Sequence, residues 1–306
     1  MLYNNCRHKK QLRRRAAENQ CKETYFMDKS KENELRRTAT DIRIGIVDAV
    51  YSAQSGHPGG SLSIADIMTY LYFEEMNVDP TNPKAEGRDR FVLSKGHTSP
   101  ALYSTLANRG YFPVEDLKTF RHLGSYLQGH PDMKGIPGVD MSSGSLGQGL
   151  SVACGMALAG KMKGASYRVF AVVGDGEAEE GQIWEAIMFA AHYKLSNLTL
   201  IIDKNGLQID GKTSDVMNTS PLDEKLEAFG WDVTNLENAH DFNEIESVFA
   251  SRHGVVSDKP YAIIAHSHKG RGVSYMEDQA GWHGKAPNEE QYKQAIAELT
   301  AYRESI

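Results

Sequence analysis

Apolar positions along the chain follow two patterns. Residues 32–53, ENELRRTATDIRIGIVDAVYSA, place Leu35, Ile42, Ile46 and Val50 near one face at helical spacing, which predicts an amphipathic helix. Three later segments, YRVFAVVG, LTLIID and YAIIAH, are continuously apolar instead. Short runs of this kind are typical of strands that are buried on both faces of a parallel sheet.

Helical patterns lie between these runs and around them. RFVLS predicts a short additional strand, and Ser61 or Ser63 is expected to be the N-cap of a helix over SIADIMTYLYFEEM. Further helices are predicted over SPALYSTLANRG, GLSVACGMALAGKMKG, QIWEAIMFAAHY and NEEQYKQAIAELTAYRESI. The alternation predicts an α/β fold with a doubly wound, mostly parallel sheet flanked by helices. Sites in such folds lie at the carboxyl ends of the strands.

Composition narrows the class of protein. The 306 residues suffice for one large α/β domain, and 40% hydrophobic with 24% charged residues is ordinary for a soluble globular protein. A net charge of -6 gives no indication of general nucleic-acid binding. No apolar run approaches the length of about 18 residues that a transmembrane helix needs, so no membrane association is expected.

Cysteine usage and the N-terminal segment add two expectations. Cys6, Cys21 and Cys154 are scattered and form no C-x-x-C pair, which favours a reducing cytoplasm over a disulfide or zinc framework. Residues 1–30 contain the basic cluster RHKKQLRRR and are interpreted as a disordered extension, with Met27 a plausible native start. A nucleic-acid-binding or targeting role for this segment is the alternative. The folded domain is expected over residues 31–306.

Two polar residues follow neighbouring predicted strands. Asp175 ends the first long apolar run and is flanked by Gly174 and Gly176, and Asn205 follows the second run thirty positions later. In a parallel sheet both side chains would emerge at the same edge. Carboxylate, amide and backbone oxygens are suitable ligands for Mg²⁺ or Ca²⁺. The two glycines permit close approach of a phosphate to the backbone. The N-terminus of the following predicted helix, QIWEAIMFAAHY, also favours a bound phosphate. From the residues alone, two interpretations remain open: a metal–diphosphate site, or two polar loop residues without a ligand.

The same stretch resembles the thiamin-diphosphate motif, in which G-D-G is followed about thirty residues later by asparagine. Four further segments, SGHPGGSLSIADI, FVLSKGHTSPALY, GHPDMKGIPGVDMSSGSLGQGLSVACGMAL and GWHGKAP, follow the order and spacing of the transketolase family. The resemblance covers approximately residues 33–290. It implies the thiamin-diphosphate-binding fold and, more narrowly, its diphosphate-binding domain.

The resemblance also implies roles for individual residues. The metal ligands would be Asp175, Asn205 and the backbone carbonyl of Leu207. The catalytic histidines would be His57 and His283 for proton movements, with His97 and His130 for positioning the substrate. Histidine suits both tasks because its ordinary pKa is near neutrality. The implied cofactor-binding residues are His97, Gly144, Leu146, Gly174, Asp175, Gly176, Glu180, Asn205, Ile209 and His283.

A complete transketolase also contains a pyrimidine-binding domain, which carries the glutamate that activates the cofactor ring. The resemblance ends before that domain. The chain is therefore expected to be the N-terminal subunit of a split transketolase, acting with a separate pyrimidine-binding subunit, with α2β2 as the natural assembly. The expected reaction transfers a two-carbon ketol unit from a ketose phosphate to an aldose acceptor.

Other functions remain as alternatives. A deoxyxylulose-phosphate synthase or a 2-oxo-acid dehydrogenase component would share the metal motif, although the four histidines favour a substrate with many hydroxyl groups. A non-catalytic binding protein would not need the intact metal ligands. A nicotinamide dehydrogenase would need G-x-G-x-x-G after the first strand, where this chain has GDGEAEEG.

Overall fold

A five-stranded parallel sheet lies at the centre of the computed structural model, which describes residues 27–306. The strands are β1 (Arg90–Leu93), β2 (Val169–Gly174), β3 (Leu198–Lys204), β4 (Leu207–Gln208), β5 (Gly211–Lys212), β6 (Asp232–Leu236) and β7 (Tyr261–His266). The main sheet has the order β1-β2-β3-β7-β6, and β4 with β5 forms a small antiparallel hairpin. The fold class predicted from the alternation of strands and helices is confirmed.

Helices cover both faces of this sheet. They are α1 (Lys29–Ala53), α2 (Pro58–Leu62), α3 (Ala65–Tyr70), α4 (Ser99–Arg109), α5 (Gly149–Lys163), α6 (Gly181–His192), α7 (Thr213–Val216), α8 (Leu222–Ala228), α9 (Phe242–Ala250) and α10 (Glu289–Ser305). No helix within the described range has the length and apolar character of a membrane span.

Continuous apolar strands serve two separate cores. In β2, Phe170 and Val172 belong to the core on one face of the sheet, whereas Ala171 and Val173 belong to the core on the other. The central part of a strand such as β2 must therefore be apolar at successive positions, because neither face is left for solvent. This requirement explains why β2, β3 and β7 appear in the sequence as apolar runs.

The first helix begins earlier than the predicted domain boundary at residue 31. Helix α1 starts at Lys29, and the Asp28 carboxylate caps it by accepting hydrogen bonds from the next backbone N–H groups. Met27 packs against the core. The packed chain thus includes residues 27–30, while the prediction for residues 1–26, with Cys6 and Cys21, lies outside the described residues.

One local prediction is wrong, and one strand was not predicted. Neither Ser61 nor Ser63 caps the helix over SIADIMTY, which begins at Ala65 after Ile64 and has no side-chain cap. Ser61 lies inside α2 and donates to the His57 carbonyl, and Ser63 donates to the Asp203 carboxylate at 2.7 Å. Both hydroxyls satisfy acceptors elsewhere. The sheet also has an edge strand, β6, that its polar sequence DVTNL did not indicate.

Candidate active site

The carboxyl ends of β1, β2, β3 and β7 meet at one edge of the sheet. Asp175 comes directly after β2 and Asn205 directly after β3, and these strands are paired with Gly174 opposite Asp203. A cleft of about 710 Å³ opens above this edge. The expected juxtaposition of Asp175 and Asn205 therefore follows from strand order and register.

Asp175 is a buried carboxylate held by backbone donors. Its Oδ1 accepts from Gly176 N at 3.0 Å and its Oδ2 from Gly206 N at 2.7 Å. Burial, with the charge of nearby Asp203, raises the pKa of Asp175 to about 6. The carboxylate is 4% exposed and lies where a cation would lower its free energy.

Asn205 and Leu207 direct oxygen atoms into the same cleft. The Asn205 amide oxygen accepts from Leu207 N at 3.1 Å, which leaves its second lone pair available. The Leu207 carbonyl accepts from the ammonium group of Lys269 at 2.9 Å, so this oxygen already faces a cation. Both atoms are hard oxygen donors.

These groups fit a divalent cation bound to a diphosphate. A buried carboxylate with a raised pKa, an amide oxygen and a backbone carbonyl form a donor set that suits Mg²⁺ or Ca²⁺. Lys269 and His283 lie on the same cleft, with Lys269 Nζ 3.1 Å from His283 Nδ1, and can face the negative phosphates. The residues present are thus compatible with the group that the motif implies.

Three of the four predicted histidines form one cluster. The ring centroids of His57, His97 and His283 are 5.1 to 5.5 Å apart in each pairing. Burial lowers the pKa of His57 to about 4, that of His97 to about 2 and that of His283 to about 3, and neighbouring cationic groups act in the same direction. All three rings are therefore neutral at pH 7, and each offers one donor and one acceptor nitrogen.

The fourth histidine lies beside the cleft lining. His130 is exposed, and its ring packs against Gly144, where an added Cβ would come within 3.0 Å of the imidazole. Gly144 also has φ +145°, a conformation that side chains rarely adopt. The loop that carries Gly144 therefore needs glycine to hold His130 near the cleft.

The remaining predicted residues also line the cleft. Gly174, Gly176 and Glu180 lie near Asp175, while Leu146 and Ile209 expose apolar side chains, 40% and 67% accessible, toward its opening. His266, which ends β7, instead lines a separate hollow with Lys204. Apolar groups at the opening can contact a cofactor ring or another protein surface.

Comparison with known proteins identifies the family. The family model described as "Transketolase, thiamine diphosphate binding domain" matches residues 35–302.

The chain belongs to the transketolase family.

Relatives in this family are of two lengths. The chain is 45% identical to an apulose-4-phosphate transketolase subunit of Phocaeicola vulgatus over 261 residues, which cover 85% of this chain and 92% of the relative. It is 43% identical to a 6-deoxy-6-sulfo-D-fructose transketolase subunit of Clostridium sp., covering 87% of this chain and 96% of that relative. It is 41% identical to human transketolase. The match includes 89% of this chain but 43% of the longer human chain.

Solved transketolases share the fold. The structure from Campylobacter jejuni has a TM-score of 0.81 at 33% identity and is matched over 89% of this chain and 45% of its own. The Pichia stipitis transketolase in complex with sedoheptulose 7-phosphate has a TM-score of 0.81 at 32% identity, over 89% of this chain and 44% of its own. The present chain thus spans less than half the length of these transketolases.

Four buried charged residues were not singled out from the sequence. Lys269 contacts the Leu207 carbonyl, and Lys95 pairs with Asp203 at 2.6 Å. Glu177 accepts from Ser94 Oγ and from two backbone N–H groups around the transketolase cleft. A signal was available for three of them, because Lys95, Glu177 and Asp203 stand beside recognised motifs in SKGH, GDGE and IIDKN, whereas Lys269 lies next to no motif singled out from the sequence.

Protonation of the histidine cluster should oppose folding. Since the folded-state pKa of His97 is about 2 and the unfolded value is about 6.5, the unfolded chain binds more protons below pH 6.5. The free energy of unfolding is expected to fall as pH decreases from 7 to 5, with His97 contributing a slope of up to about 1.4 kcal/mol per pH unit. Urea unfolding of wild type and His97→Asn between pH 7 and 5 measures this contribution to the pH dependence of the free energy of unfolding. Parallel pH profiles would contradict the assignment.

Proposed function

We propose that this chain binds thiamin diphosphate with Mg²⁺ or Ca²⁺ and transfers a two-carbon ketol unit from a ketose phosphate to an aldose acceptor. The observation that carries the proposal is the convergence of Asp175, Asn205 and the Leu207 carbonyl with the His57–His97–His283 cluster in one cleft. The oxygen donors suit a metal–diphosphate group, and the histidines suit a substrate with many hydroxyls.

In this proposal, different residues of the cleft bind the metal, the diphosphate and the cofactor rings. Asp175, Asn205 and the Leu207 carbonyl hold the metal, and Lys269 with His283 faces the diphosphate. Gly174 and Gly176 let the backbone approach it. When bound, thiamin diphosphate supplies the nucleophilic thiazolium carbon that ketol transfer requires. Leu146 and Ile209 contact the cofactor rings.

Neutral imidazoles account for proton movement at the substrate. His57 lines the cleft, so its ring is within reach of a substrate hydroxyl, and its buried Nδ1 has no hydrogen-bond partner among residues 27–306. A neutral ring can accept a proton through one nitrogen and donate through the other. His57 and His283 move protons at the hydroxyl and carbonyl oxygens of the sugar, while His97 and His130 position them.

A second chain completes the site in this proposal. Relatives of nearly the same length as this chain are named as transketolase subunits, whereas single-chain relatives are much longer. The partner supplies the pyrimidine-binding domain and its ring-activating glutamate, and two copies of each chain form an α2β2 assembly. The enzyme acts in the cytoplasm.

Copurification and a substrate comparison test this proposal. The tagged chain, isolated from its native cells, is expected to bring down a second chain in equal amount, and light scattering should give the mass of an α2β2 complex. The complex, loaded with thiamin diphosphate and Mg²⁺, should transfer ketol units from fructose 6-phosphate to an aldose phosphate without releasing CO₂. Decarboxylation of pyruvate in place of ketol transfer would overturn the assignment.

A further inference from the structure

A buried carboxylate lies directly behind the candidate metal site. Asp203, the residue of β3 two positions before Asn205, is 1% exposed and does not line the cleft. Its Oδ2 accepts from Lys95 Nζ at 2.6 Å, Ser63 Oγ at 2.7 Å and Asn205 Nδ2 at 2.8 Å. Its Oδ1 accepts from Ser267 Oγ. Because these donors surround it, the carboxylate has one fixed orientation.

This orientation determines which way the Asn205 amide faces. The amide nitrogen donates to Asp203, and the amide oxygen accepts from Leu207 N at 3.1 Å. If the amide were rotated by half a turn, its oxygen would face the carboxylate and its nitrogen would face an N–H group. Both contacts would then be repulsive, so the network permits a single arrangement.

We propose that Asp203 is a positioning residue for the metal, which fixes the Asn205 amide so that its oxygen, and not its nitrogen, is presented to the cation. The inference rests on the proposed function of Asp175, Asn205 and Leu207 as ligands. Hydrogen bonds that orient a ligand typically contribute a factor of about 10 to 100 to metal affinity. Asp203 acts through Asn205 and does not touch the metal.

Lys95 allows Asp203 to remain charged in this position. The two side chains are 3% and 1% exposed, and Lys95 Nζ also donates to the Gly60 carbonyl at 2.9 Å. A buried ion pair of this kind can often be replaced as a unit by apolar residues without loss of stability, whereas removal of one partner leaves an uncompensated charge. The informative variant therefore changes both residues together.

The test measures binding of Mn²⁺ with inorganic pyrophosphate to the full chain, by the loss of the electron paramagnetic resonance signal of free Mn²⁺. The Lys95→Met/Asp203→Leu variant should bind Mn²⁺ about 10- to 100-fold more weakly than wild type. Adding Asn205→Asp should restore affinity to within about threefold, since both terminal atoms of aspartate are oxygens. Ser63→Ala is the matched control, because it removes a different donor to Asp203, and it should bind normally.

Each outcome bears on the proposal. Wild-type affinity in Lys95→Met/Asp203→Leu, or weak binding that Asn205→Asp does not restore, would overturn the positioning role while leaving the metal site intact. Absence of saturable binding by wild type would instead overturn the proposed function. If the apolar pair does not fold, Lys95→Met/Asp203→Asn also removes both charges together and keeps an amide oxygen that can accept from Asn205 Nδ2. Near-normal affinity in that variant supports the proposal, and a loss of about tenfold or more contradicts it.

Discussion

Substitution of Asp175 by alanine is expected to abolish tight binding of the divalent cation and to lower ketol transfer by the assembled enzyme about a thousandfold or more. The carboxylate is buried at the carboxyl end of β2, and two backbone N–H groups hold it in place. Removing it leaves only the neutral oxygens of Asn205 and Leu207 for the metal. Isothermal titration with Mn²⁺ and a coupled ketol-transfer assay measure the two effects.

A matched substitution separates loss of the metal from loss of a surface charge. Asp258 lies before β7, at the opposite edge of the sheet, and forms an exposed ion pair with Lys194. Asp258→Ala removes the same chemical group and should leave metal binding and activity unchanged, because exposed pairs contribute little. Unaltered Mn²⁺ binding in Asp175→Ala would exclude this carboxylate as a ligand.

The position of the site could be predicted because sheet topology leaves little freedom. Strands with buried faces must be apolar throughout, and β2 and β3 appear in the sequence as unbroken runs. Once the strands are parallel, the residues after them meet at one edge. Asp175 and Asn205 were therefore expected together before any contact was known, and Gly174 opposite Asp203 provides the register.

Features that depend on long-range contacts could not be predicted in this way. Ser63 has the residue type and spacing of a helix cap, but its hydroxyl donates to Asp203, 140 positions away in sequence. Within the described part of the chain, strand β6 pairs only with β7 and lies at the edge of the sheet, so partial exposure lets its sequence DVTNL remain polar. In both cases the tertiary structure provides a partner that local sequence does not reveal.

The same limit applies to two buried lysines at the site. Lys95 and Lys269 would ordinarily be assigned to the surface, since unpaired lysines are seldom buried. Here Lys95 is paired with Asp203, and Lys269 contacts Leu207 and His283. Burial and the charge of Lys95 lower the pKa of Lys269 to about 8. A recognised motif lies beside Lys95, but the burial and the contacts of both lysines became visible only with the fold.

Replacement of His57 by alanine is expected to slow ketol transfer about a hundredfold or more, while binding of Mn²⁺ and pyrophosphate stays unchanged. His57 makes ring contacts with His97 and His283 but none with Asp175 or Asn205, so its loss should affect the substrate rather than the metal. His253→Ala, an exposed histidine paired with Glu75, is the control. A wild-type kcat in His57→Ala would remove this residue from the mechanism.

A second substitution at the same position distinguishes proton transfer from positioning. Glutamine retains a hydrogen-bond donor and acceptor but cannot exchange a proton near neutral pH. If His57 only orients substrate hydroxyls, His57→Gln should recover most of the activity that alanine loses. If His57 moves protons, both variants should be similarly slow in kcat. The second result is expected, because the lowered pKa of His57, about 4, leaves the ring neutral at pH 7, with one nitrogen that carries no proton and can accept one.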